Sequence, residues 1–124
     1  MTRIFLVLGA LFSFLGVAAG AFGAHFLKSV LSPDMLAVFE TAVRYQMYHA
    51  FALLIVGGAC EQFPQASLTP AGWLFAIGIV LFSGSLYALA FTGIAELGAI
   101  TPLGGVGLLV GWGWLAWQFW TWAP

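Results

Sequence analysis

Residues 32–49 read Ser32-Pro-Asp-Met-Leu-Ala-Val-Phe-Glu40-Thr-Ala-Val-Arg44-Tyr-Gln-Met-Tyr-His49, and a run of Ala, Leu, Ile, Val and Gly continues to Glu61. After Pro33 no helix breaker occurs before Gly57, so the stretch reads as one long helix. It holds Asp34, Glu40, Arg44, His49 and Glu61, most of the ionisable side chains in the chain. The sequence to either side is nearly pure hydrocarbon and glycine.

Composition bounds the class. Of 124 residues, 63% are hydrophobic and only 6% charged, against about 25% charged in a soluble domain. A chain so poor in charge reads as an integral membrane protein that uses the lipid bilayer as its solvent. The net charge of −1 leaves no electrostatic footprint for nucleic acid. The single Cys60 excludes an internal disulfide. The apolar run from Ile4 to Phe26 spans about 23 residues, longer than the ~7–15 of a signal h-region. It therefore reads as a retained transmembrane helix that keeps Met1.

Three further helix starts share one signature. Ser32-Pro33, Thr69-Pro70 and Thr101-Pro102 each set a hydroxyl residue before a proline, ahead of an apolar run. The hydroxyl is expected to cap, and proline at the first helical position gives up no N–H that the helix needs. These signals predict an all-α integral membrane four-helix bundle, a single domain over residues 1–124. Its spans are 4–26, 42–60, 70–91 and 102–122. Residues 33–41 form the interfacial start of an extended second helix, whose length of ~42 Å at ~1.5 Å per residue exceeds a hydrocarbon core of ~30 Å.

Small residues predict how the helices meet. Gly9, Gly16, Gly20 and Gly23 fall within roughly 60° on a helical projection. Gly104, Gly107 and Gly111 share one side of the last helix. Such faces let backbones approach closely where lipid supplies no hydrophobic drive to associate. Four spans place both termini and the 60–70 loop at one level, with Trp73, Trp117, Trp120 and Trp122 as an aromatic belt. The positive-inside comparison sets Lys28 and Arg44 against Arg3, leaning toward a cytoplasmic 27–44 region.

Several stretches carry a resemblance. Gly20-Ala-Phe-Gly-Ala-His25, then Leu27-Lys28, then Phe39-Glu40-Thr-Ala-Val-Arg44-Tyr45-Gln46-Met47-Tyr48-His49-Ala50 match a family pattern. Leu81-Phe82-Ser83-Gly84-Ser85-Leu86-Tyr87 and Ile100-Thr101-Pro102-Leu103-Gly104-Gly105 extend it. The chain resembles the uncharacterised small membrane proteins catalogued as domain of unknown function 423, to which transmembrane protein 256 is similar. That resemblance implies a four-helix fold and a membrane location. The family has no established activity, so no catalytic residue is carried over.

The candidate ligand or partner surface comprises His25, Lys28, Glu40, Arg44, Tyr48 and His49. Glu40 and Arg44 stand at i,i+4 with the acid N-terminal, the better order for a helical ion pair; an interfacial anchor with a snorkelling Arg is the favoured reading of them, ahead of a ligand or partner site. Two facing histidines, His25 and His49, could hold a haem or metal, but capping, interface hydrogen bonding and packing account for two histidines without one. His49 also points about 180° from Glu40 on the helix. Ser83 and Ser85 read as packing and interhelical hydrogen-bonding residues. No nucleophile–base–orienter set is present, and neither a cofactor nor a resident metal is expected. The leading reading is a non-enzymatic accessory, scaffold or assembly subunit of the bacterial inner membrane, associating with other membrane proteins or with itself. The alternatives are a small oligomeric transporter or channel, and a haem- or metal-binding redox subunit using His25 and His49.

Overall fold

The structure, a computed structural model, describes residues 1–124. Four helices follow in order: α1 (Thr2–His25), α2 (Pro33–Gln62), α3 (Thr69–Thr92) and α4 (Thr101–Thr121). Single 3₁₀ turns, Leu27–Ser29 and Ala95–Ala99, precede α2 and α4. The long second helix is one uninterrupted element of 30 residues.

Ser32 starts α2 as expected: its hydroxyl accepts from the Met35 N–H at 3.2 Å, beside Pro33 in the first turn. The other two hydroxyls behave differently. Thr69 and Thr101 are already helical, and Leu68 and Ile100 occupy the cap positions with no side-chain cap bond. Proline still stands in the first turn of both helices. The Thr101 hydroxyl instead meets Ser85 Oγ at 2.6 Å, tying α4 to α3. Gly93 ends α3 at φ +69°, the left-handed stop that a glycine adopts without steric cost.

Close backbone packing follows chain order, α1 on α2, α2 on α3 and α3 on α4. Neighbours run antiparallel: Gly23 of α1 lies against Phe39 of α2, and Gly57 of α2 against Leu6 of α1. The glycines mark the seams. A side chain at Gly9 would meet Leu54 and the Ala50 carbonyl oxygen, one at Gly16 would meet Met47, and one at Gly20 would meet Val43. On α4, Gly104 abuts the backbone of Phe82, Gly107 lies by Leu74 and Gly78, and Gly111 sits under Phe75.

The core has two apolar regions. The larger joins Phe5, Leu53, Val56, Leu68, Phe75 and Leu115 among others. The smaller joins Leu27, Phe39 and Ala90. Between them along α2 come the buried Gln46 and His49, level with the buried Ser83 of α3.

At the end that carries the termini, the loop after α2 is clamped to α4. The Ser67 N–H donates to Gln118 Oε1 at 2.8 Å, and Trp114 Nε1–H donates to the Ser67 carbonyl at 2.7 Å. Trp73 meets Phe5 edge-on, and Trp122 meets Phe63 likewise. By length and apolar composition, Thr2–His25, Thr69–Thr92 and Ala95–Thr121 qualify as membrane spans. Helix α2 does not, because Arg44, Gln46 and His49 dilute its apolar stretch.

Candidate functional site

In the middle of α2 Gln46 and His49 turn inward, and each finds a partner on another helix. Gln46 Nε2 donates to the Phe12 carbonyl of α1 at 2.8 Å, and the Tyr87 hydroxyl of α3 donates to Gln46 Oε1 at 2.7 Å. The Phe12 carbonyl can only accept, so the amide must present its nitrogen there and its oxygen to Tyr87. Ser83 donates to the Ala42 carbonyl at 2.7 Å.

His49 is held from two sides. Its Nδ1 lies 2.7 Å from the Tyr45 carbonyl oxygen, and Trp112 Nε1–H of α4 donates to its Nε2 at 3.0 Å. A carbonyl oxygen cannot donate, so Nδ1 carries the proton, and the indole N–H requires the lone pair of Nε2. The ring is therefore neutral and its tautomer is set. Phe75 and Trp112 flank it, with centroids at 5.6 and 6.0 Å.

Two lateral clefts border this polar belt. One, of about 450 Å³, lies between α1 and α3 with Phe39 and Gln46 of α2 as its floor. The other, of about 460 Å³, lies between α2 and α4 and is lined by Tyr45, His49, Phe82 and Trp112 among others.

The residues proposed from sequence do not form one surface. His25 and Lys28 are exposed at the end of α1 and in the turn after it. Glu40 and Arg44 are exposed along a third, smaller cleft of about 160 Å³, formed with Gly20, Gly23 and Ala24 of α1. No ion pair joins them: each side chain extends outward, where little is gained by pairing. Tyr48 is exposed and meets Tyr45 edge-on at 5.8 Å. His49 is buried on the other side of α2, toward α3 and α4. No group of three or more His, Cys, Asp or Glu side chains is placed to hold a metal ion.

Gln46, Tyr87 and Trp112 carry the interior network, and none of them stands among the candidates read from sequence. For Gln46 a signal exists. It lies four residues after Ala42 and seven before Leu53, on the face of α2 that the fold buries. A glutamine at such a core position needs partners in the interior.

Residues 19–105 match the family described as "Protein of unknown function (DUF423)". The chain belongs to the DUF423 family. The matched residues include all of α2 and α3, and with them Gln46, His49, Ser83 and Tyr87. This DUF423 chain is 49% identical over 111 residues to the UPF0382 membrane protein YwdK of Bacillus subtilis, covering 89% of this chain and 90% of that protein. It is 48% identical over 110 residues to the UPF0382 membrane protein SH2409 of Staphylococcus haemolyticus, covering 89% of each. It is 49% identical over 110 residues to the UPF0382 membrane protein SSP2132 of Staphylococcus saprophyticus, covering 89% of this chain and 91% of that protein. No solved structure matches it. With apolar helices long enough to span and these bacterial relatives, this DUF423 chain is a multi-pass membrane protein.

Proposed function

We propose that this protein is a non-enzymatic subunit of the bacterial inner membrane, an accessory or scaffold that works by association with another membrane protein or with a further copy of itself. One observation carries the reading. Gln46, His49, Ser83, Tyr87 and Trp112 bond to one another or to backbone carbonyls, the buried Ser13 hydroxyl alone lacking a partner, while the charged side chains lie exposed along the helices and turns. No nucleophile and base converge, and the Nε2 lone pair that a haem or metal would take from His49 is engaged by Trp112.

The same reading includes four crossings. Helix α2 runs antiparallel beside α1 and α3, with contacts from Phe39 to Gly57 along α1. A helix so placed shares their depth, and its polar groups are shielded by its neighbours. The 33–41 segment then reaches the interface, with the 27–44 region facing the cytoplasm.

Crosslinking in native membranes followed by purification tests the association. A stoichiometric partner or a defined homo-oligomer is the expected result. A monomer with no crosslinked partner overturns it, and solute flux through liposomes carrying the pure protein replaces it with an oligomeric transporter.

A further inference from the structure

The cleft between α1 and α3 combines three features. Its walls mix aromatic and aliphatic side chains: Phe12, Leu15 and Phe22 stand on α1, and Ile79, Tyr87 and Phe91 on α3. Phe39 of α2 closes it from below, 5.2 Å from the Tyr87 ring and 5.7 Å from the Phe91 ring between centroids. Its volume of about 450 Å³ falls within the roughly 300–1,000 Å³ of small-molecule sites.

The floor is polar and incompletely bonded. Gln46 is only 5% exposed, yet one amide N–H serves the Phe12 carbonyl and the other has no acceptor in the protein. The Tyr87 hydroxyl gives its proton to Gln46 Oε1, which leaves its oxygen free to accept. The cleft therefore offers one donor and one acceptor side by side at the foot of the slot.

The rim is open on the lipid side. Gly84 lines the cleft, and a Cβ there would meet nothing within 4 Å. Glycine inside a helix costs roughly 0.5–1 kcal/mol relative to alanine. The glycines of α1 and α4 named above are matched to a close neighbour, whereas Gly84 has none within the chain.

We propose that this cleft is a binding site for a flat, lipid-soluble ring bearing a carbonyl or hydroxyl oxygen, a ligand of the quinone class. The ring lies between these walls, its oxygen accepts from the free Gln46 N–H, and its apolar tail leaves past Gly84 into the bilayer. An acyl chain satisfies the walls but brings no acceptor, and an unpaired buried donor costs about 1–3 kcal/mol. The site does not depend on the association proposed above.

The test is titration of menadione into lipid nanodiscs holding the full chain, followed by calorimetry with empty nanodiscs subtracted. Saturable binding is expected, displaced by decylubiquinone and not by dodecane. Gly84→Phe fills the cleft from its open rim and should weaken binding by at least about tenfold, equivalent to 1.4 kcal/mol, while melting like the parent. Val80→Trp, at the same rim, serves if Gly84→Phe does not fold. The carbonyl stretch of bound menadione should lie at lower wavenumber than in lipid, and return toward the lipid value in Gln46→Met. Heat no greater than that of empty nanodiscs, unchanged affinity in a folded rim variant, or equal displacement by dodecane would overturn the proposal.

Discussion

Trp112 of α4 and His49 of α2 meet as donor and acceptor at 3.0 Å, and that bond decides the state of the imidazole. With Nδ1 committed to the Tyr45 carbonyl, a second proton on the ring would have to displace the indole. The pair is thus a structural link between helices that are not adjacent in chain order.

Trp112→Phe should destabilise the protein by about 1–3 kcal/mol, because it leaves a buried acceptor on His49 without a donor. The double variant Trp112→Phe with His49→Leu should regain part of that loss, since neither polar partner then remains. Thermal unfolding in detergent reads both. Equal melting of Trp112→Phe and the parent protein would show that the bond contributes nothing.

The glycine positions should divide by what lies opposite them. Gly104→Ala drives a methyl group against the Phe82 backbone, which cannot swing aside, and should cost about 1–3 kcal/mol. Gly58→Ala meets nothing within 4 Å and should gain roughly 0.5–1 kcal/mol from helix propensity. Gly16→Leu should resemble the first case, because Met47 fills the space opposite. The same ordering of melting temperatures across the three variants is the check.

Reporter fusions at residue 1 and residue 124 should report the same compartment. Three crossings, with α2 lying outside the hydrocarbon, would put the two ends in opposite compartments. Labelling of single cysteines at Ser29 and Gln65 in a Cys60→Ser background should add that these two turns face opposite sides.

Glu40→Gln and Arg44→Gln should each change stability by less than ~0.5 kcal/mol, the usual range for surface positions without a partner. The double variant should equal the sum of the two singles, because no pair energy is lost. A coupling well above that range in unfolding experiments would mean that the two side chains do pair in the membrane.

The helix boundaries were legible because Ser32-Pro33, Thr69-Pro70 and Thr101-Pro102 are local signals, and proline acts on its own turn whatever surrounds it. The capping role of Thr69 and Thr101 was not, because a hydroxyl chooses among partners that only the fold supplies; Thr101 chose Ser85. The α1 glycine stripe was readable from angle alone. The site was much less so. Angular spacing set His49 apart from Glu40, but its partner Trp112 is 63 residues away, on a helix whose rotation no local pattern specifies. Gln46 was hidden for a related reason: charge and histidine draw the eye to α2, while its amide makes the contacts that reach both flanking helices.

Because each helix packs most closely on the one before it, the order of synthesis is also an order of assembly. Chains emerge from the ribosome at about 5–20 residues per second, N-terminal part first. When α2 leaves the ribosome, the Phe12 carbonyl that Gln46 needs is already present on α1. On the four-crossing reading proposed above, the least apolar helix would enter the bilayer as half of a hairpin, with one Gln46 N–H already bonded to α1. Helix α3 then supplies Tyr87 and Ser83, and α4 arrives last with the indole for His49. A circular permutant that begins at α2 would deliver Gln46 before its acceptor exists, and its insertion yield should fall even though the finished contacts are the same.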